Sequence, residues 1–305
     1  MLFRSVGSFG YHGLLSVDPN TIPTQICASP SGCAPGVPQG AQYIPAGSRP
    51  NPYLGAAFFW YTEGNSSYNA LQVDVSRRLT HGLEFRANYT WSKSLDMNSA
   101  LTGAQANNQA QMILDRNNLG RDWGPSALNV ASQGSVSWTY ALPFRRNQRW
   151  LAGWQLNGIA TLLTGFPFTP QIGSNRSGDG DTRNPDRPSL NPAFSGPVVV
   201  GKPAQWFNPN AFILPAAGTY GNLGRGTYTG PGLAALDLSL VKNIDVTEKM
   251  KLQLRSEFFN ILNHTNLGTP NAIVFSGGAI SPSAGLIATT ATTSRQIQFG
   301  LKLIF

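Results

Sequence analysis

The chain has 305 residues, of which only 12% are charged, about half the share usual for a globular protein in water. No stretch approaches the roughly 18 consecutive apolar residues of a membrane-crossing helix, which excludes a helical membrane protein but not alternating strands. The net charge of +8 comes from scattered basic residues, with small clusters at Arg77-Arg78 and Arg145-Arg146-Arg149. No zinc-finger spacing or RNA-binding aromatic signature accompanies them, so no nucleic-acid partner is expected.

In chain order, residues 2–8 read as a partial strand and residues 17–67 as a long loop. Cys27 and Cys33 lie in this loop, among Pro, Gly and Ser. Two cysteines alone do not make a zinc site. A small disulfide in an oxidising compartment is one reading, two free thiols the other.

Residues 69–79 alternate: Leu71, Val73 and Val75 fall on one face, Gln72, Asp74 and Ser76 on the other. Side chains along a strand point to opposite faces in turn, so the segment is a strand with one apolar side. A tight connection at residues 80–82 leads to residues 83–91. There Leu83, Phe85, Ala87, Tyr89 and Trp91 oppose Glu84, Arg86, Asn88 and Thr90. This pair is the clearest hairpin.

A second hairpin covers about residues 130–163, with its turn at 143–149. Val136, Trp138, Tyr140 and Leu142 share one face of its first strand; Trp154, Leu156, Gly158, Ala160 and Leu162 share one face of its second. A third covers about 233–262, turning at 245–249. Leu236, Leu238 and Leu240 oppose Asp237 and Ser239, then Met250, Leu252, Leu254 and Phe258 oppose Lys251, Gln253, Arg255 and Glu257. The chain ends on Ile297, Phe299, Leu301, Leu303 and Phe305 against Gln296, Gln298, Gly300 and Lys302. A bare, half-apolar final strand suits a barrel whose last strand must be paired, and ill suits a soluble protein with an open edge.

The expected fold is therefore all-β: an antiparallel up-and-down meander of about eight strands, part of a transmembrane β-barrel. Short periplasmic turns alternate with long extracellular loops at residues 17–67, 95–129, 165–232 and 263–294. Eighteen of the 22 prolines lie in the first and third of these loops, as expected of a residue that cannot donate to a ladder. Tyr89, Trp91, Trp138, Tyr140, Trp150 and Trp154 read as interfacial girdles, or alternatively as the core of a sandwich. Asp74, Glu84, Arg86, Asp237, Arg255, Glu257 and Lys302 would line a polar lumen.

Chemistry is sparse. Asp179-Gly-Asp-Thr-Arg-Asn-Pro-Asp186 places oxygen ligands close together, as calcium favours, but lacks the spacing and closing Glu of an EF-hand. We read it as a solvated, turn-rich loop, with a metal site as the alternative. His12, His81 and His264 have no metal-ligand spacing, and His264 is expected to end a strand. No serine sits in a nucleophile elbow, and Gly178-Asp-Gly180 is too short for a phosphate loop. Neither an enzyme nor a cofactor or metal is expected.

Some of these segments are familiar. Residues 67–79 and 82–94 resemble the barrel of Oar-like TonB-dependent outer-membrane receptors, which often carry a carboxypeptidase-regulatory-like domain. Gly153-Trp-Gln-Leu-Asn-Gly158, Thr164-Gly-Phe-Pro-Phe168, Asn208-Pro-Asn-Ala-Phe212, Gly221-Asn-Leu-Gly224 and residues 255–266 are similar to the same family. Gln298, Gly300, Leu303 and Phe305 resemble the C-terminal signal read by the barrel-assembly machinery. The resemblance implies a barrel of about 22 strands, an internal plug and an N-terminal TonB-contacting segment. Plug, TonB segment, regulatory domain and most strands are absent here, and residues 1–5 show no signal-peptide pattern. Residues 1–305 are thus expected to be the C-terminal segment of a longer receptor in the bacterial outer membrane. It would meet lipid and the assembly machinery, reach the TonB complex only through the missing N-terminal regions, and help take up an unidentified nutrient. The alternatives are a self-contained eight-stranded barrel acting as adhesin or anchor, or a secreted soluble β-protein binding carbohydrate.

Overall fold

The computed structural model describes residues 1–99, 110, 112–144, 152–181, 183, 185–247 and 250–305. Eight long strands form one antiparallel sheet in chain order. They are β1 (Leu2–Val17), β2 (Phe59–Thr80), β3 (Leu83–Asp96), β4 (Ser132–Ala141), β5 (Trp154–Leu163), β6 (Leu233–Asp245), β7 (Lys251–Phe259) and β8 (Gln296–Ile304). A two-residue strand, Gly124–Pro125, adds to the top of β3. The sheet is open: β1 and β8 are its two edges.

The up-and-down meander expected from alternation is therefore what forms, and the register shows why the alternation matters. Opposed residues in a ladder share a face. Phe85, Trp138, Gly158, Leu238, Phe258 and Ile297 stand opposite one another across β3 to β8. One residue along, Glu84, Thr139, Asn157, Ser239, Glu257 and Gln298 form the matching row on the other face. A slip of one residue in any strand would put charge among the apolar rows. Among the described residues no second layer covers the apolar face: Trp91 is 61% exposed and Phe299 77% exposed. This removes the sandwich-core reading of the girdle aromatics that lie among the described residues; Trp150 and the Arg145-Arg146-Arg149 cluster lie outside them.

Local chemistry sets the details. His81 and Gly82 both have positive φ (52° and 81°), as a two-residue type I′ turn between twisted strands requires. Gly158 lies beneath the Trp138 indole, and a Cβ there would fall 2.1 Å from the ring. Gly158→Ala is therefore expected to push the indole off the sheet and destabilise the protein by about 1–3 kcal/mol. The same substitution in a Trp138→Leu background should cost much less, which a denaturant titration of the two pairs would show.

Two boundaries differ from the sequence reading. The partial strand of residues 2–8 continues to Val17, and the strand at 69–79 begins at Phe59. At 16 and 22 residues these strands exceed the roughly 9–11 that a tilted spanning strand needs. Their upper halves pair with each other past a bulge between Gly10 and Gly13. The strand β7 stops at Phe259, so His264 does not end it. His264 follows a turn in which its N–H donates to Asn260 Oδ1 at 3.0 Å.

The four long connections, residues 18–58, 97–131, 164–232 and 260–295, all leave from the same end of the sheet. They are not separate excursions. Phe168, Ile172, Phe207, Phe212, Leu223 and Val274 form a buried core drawn from the third and fourth of them. Its rings meet at centroid separations of 5.6 Å (Phe168–Phe207) and 5.9 Å (Phe207–Phe212). Leu15 and Val17, at the top of β1, pack on Ile113 of the second connection. The result is a folded layer seated on the outward end of the sheet.

Candidate functional site

Two surfaces stand out: the polar face of the sheet and the interior of the outward layer. The polar face holds a hollow of about 410 Å³, lined by Glu84, Arg86, Asn157, Asp237 and Glu257 among others. Its side chains bond along the surface. Arg86 grips Asp74 at 2.7 Å, Thr139 donates to Asn157 at 3.0 Å, and Gln253 donates to Asn243 at 2.8 Å. The Asp74–Arg86 pair is largely exposed and contributes under about 1 kcal/mol. Asp237 accepts the Asn260 N–H at 2.7 Å, which ties this wall to the start of the fourth connection. Of the seven expected lumen residues, all fall on this one face in the observed register. Ile159 and Val241 share it, two apolar residues that the alternation did not place.

The opposite face is apolar between polar ends. On β2, Asn69 and Arg77 bracket Leu71, Val73 and Val75; on β6, Lys242 closes the run Leu236, Leu238 and Leu240. The Lys242 ammonium lies 5.3 Å from the Trp154 ring centroid, a cation over an aromatic face at the turn side. Trp91 takes the loop side, opposite Leu71. Aromatics at both rims of an apolar band are the mark of a lipid-facing barrel wall.

The outward layer is fastened by arginines that the sequence did not single out. Arg187 donates to Asp122 at 2.9 Å with both side chains almost wholly buried. Burial lowers the Arg187 pKa, and the Asp122 charge opposes that shift. Arg225 pairs with Asp96 at the top of β3 and donates to the Asp122 carbonyl at 2.7 Å. Arg49 pairs with Asp18 at 3.1 Å and reaches the Gly180 carbonyl, joining the first connection to the third. Cys27 and Cys33 are joined as a disulfide in the first connection.

The Asp179–Asp186 stretch is not the solvated loop expected of it. Asp179, Asp181 and Asp186 are each buried. Desolvation pushes Asp179 up to about 7 and Asp186 up to about 6, and raises Asp181 as well. The Tyr220 hydroxyl donates to Asp179 at 3.1 Å. Among the described residues, no three His, Cys, Asp or Glu side chains form a ready-made metal-ligand set. His12 sits at the β1 bulge and His81 in the I′ turn.

The end-of-chain residues are displayed rather than enclosed. Gln298 and Gly300 lie on the polar face opposite Glu257 and Arg255, while Leu303 lies on the apolar face opposite Leu252. Phe305 is exposed.

A sheet with one apolar, aromatic-rimmed face, one hydrogen-bonded polar face and all its long connections at one end defines a segment of an outer-membrane β-barrel wall. Residues 4–298 match the model of the outer membrane beta barrel domain family, and the chain belongs to that family, in the bacterial outer membrane. No curated protein matches the chain. Among solved structures it is similar to the outer membrane transporter YddB from Escherichia coli, with a TM-score of 0.42 and 9% identity. The likeness covers 81% of this chain and 26% of that one, so the chain spans about a quarter of the transporter's length.

Proposed function

We propose that the chain is the C-terminal part of the barrel of a TonB-dependent receptor of the Oar-like type, which takes up a scarce nutrient through its outward layer. The observation that carries this reading is the open sheet. Its edges β1 and β8 each leave a row of backbone donors and acceptors unpaired. In hydrocarbon every such group costs several kcal/mol, which supports a wall completed by further strands. A wall with a polar inner face and a thick folded layer above it suits a wide, gated barrel better than a small anchor. Barrel-assembly machinery would read Gln298, Gly300, Leu303 and Phe305, and the TonB complex would act through N-terminal regions. No enzymatic step is assigned to the chain.

The test is the native polypeptide. Outer-membrane bands containing peptides of this chain should run far above its 32.7 kDa and also yield plug-domain peptides. Uptake of the nutrient should cease when TonB is lost. A band near 32.7 kDa that shifts on heating, as a closed small barrel does, would favour the adhesin or anchor instead.

A further inference from the structure

The apolar face of the wall changes character at its loop end. On β3 the run Leu83, Phe85, Ala87, Tyr89 and Trp91 is followed on the same face by Lys93. On β2 the run Val75, Val73 and Leu71 is followed by Asn69. Lys93 stands opposite Asn69 in the ladder, and Asn69 stands opposite Gly7 of β1. The stretch from Leu83 to Trp91 is about as long as a strand needs to cross hydrocarbon, roughly 9–11 residues. Lys93 and Asn69 therefore lie at the level of the lipid headgroups, on the outward side.

A lysine at a membrane rim needs no ligand of its own, because its stem can lie along apolar surface while its ammonium reaches water. Here the surroundings add a recess. A hollow of about 580 Å³ opens beside Lys93, lined by Ser5, Gly7, Asn69, Leu71 and Trp91 among others. Gly7 keeps it open: a Cβ there would stand 3.5 Å from Asn69 Oδ1. Asn69 Nδ2 donates to Ser67 Oγ at 3.3 Å with one of its two hydrogens. Among the described residues no carboxylate pairs with Lys93. We propose that this hollow holds one lipopolysaccharide molecule of the outer leaflet, with an acyl chain against Leu71 and Trp91 and a lipid A phosphate on the Lys93 ammonium and the Asn69 amide.

Complementarity selects the occupant. A cation without a counter-ion, beside an amide donor, suits an anionic headgroup, and hydrogen bonds to charged groups are the strong ones. The apolar floor next to it suits a headgroup that carries acyl chains. Trp91 stands where an amphipathic ring favours the border between the two. The long connections face outward, and lipopolysaccharide is the anionic lipid of that leaflet. The inference rests on the wall's place in the outer membrane and not on nutrient uptake.

The test uses the intact outer-membrane polypeptide that contains this chain, delipidated in detergent and titrated with bisphosphorylated lipid A under native mass spectrometry. Lys93→Gln should weaken the tightest lipid A binding about tenfold, the worth of one hydrogen bond to a charged group, and Lys93→Arg should bind like the parent. Gly7→Leu fills the hollow with Lys93 in place, and should weaken binding by a similar factor. Arg77→Gln, at the turn end of the same face, should bind like the parent. Lipid A stripped of its phosphates should bind the parent about tenfold more weakly than the bisphosphorylated form. Unchanged thermal unfolding of each variant in detergent separates loss of the site from loss of the fold. Unaltered lipid A binding by either Lys93→Gln or Gly7→Leu, or equally tight binding of phosphatidylglycerol, would overturn the proposal.

Discussion

Asp122→Ala is expected to loosen the outward layer at a cost of about 3–5 kcal/mol, the usual penalty for stranding one member of a buried ion pair. The variant leaves the Arg187 guanidinium, almost without solvent, facing no carboxylate. It also removes the Asp122 Oδ2 acceptor for the Leu114 N–H at 2.8 Å. The loss should be local, because the sheet ladders do not pass through this contact. Hydrogen exchange should rise in residues 112–126 and 185–190 while β3 to β8 stay protected. A double variant, Asp122→Ala with Arg187→Met, should recover part of the loss, since an apolar pair of similar volume is often tolerated in place of a buried salt bridge. Full protection in the single variant would mean that the pair does not hold the layer.

The second large effect concerns two neighbours on one strand. Leu238→Arg should cost about 2–4 kcal/mol in a phospholipid bilayer, the penalty for a cation at the midplane of a barrel's lipid face. Ser239→Arg, one residue along, should change stability by less than about 0.5 kcal/mol, because its side chain enters the polar row between Asn157 and Glu257. Denaturant unfolding from vesicles measures both. Equal penalties would mean that the two faces do not meet different solvents.

These contrasts show which links were legible in sequence. Leu236, Asp237, Leu238 and Ser239 carry their face assignment locally, since each points opposite to the last. Hairpin order follows from short turns such as His81-Gly82, which pair neighbours in the chain. The outward layer was illegible for a matching reason. Arg187 meets Asp122 across 65 residues, and Arg225 meets Asp96 across 129. Nothing in their flanking residues marks them as partners. The Asp179–Asp186 stretch reads as exposed because aspartates among glycine and proline usually are; contacts distant in sequence, from Arg49 and Ile22 of the first connection and from Tyr220, enclose it. The upper half of β2 was missed because Gly64, Asn65, Ser66 and Ser67 look like a turn. Pairing with β1 overrides that local preference, as tertiary context does for strands.

Spin labels placed singly along Leu233–Asp245 of the membrane-embedded protein, read by collision with oxygen and with a water-soluble nickel chelate, test the wall most directly. Labels at 236, 238 and 240 should favour oxygen, while those at 237, 239 and 241 should favour nickel. Positions 238 and 239 discriminate best, since they are adjacent yet lie in the apolar and the polar row respectively. A label shielded from both reagents at every position, or one that meets both equally, would contradict a strand standing between hydrocarbon and water.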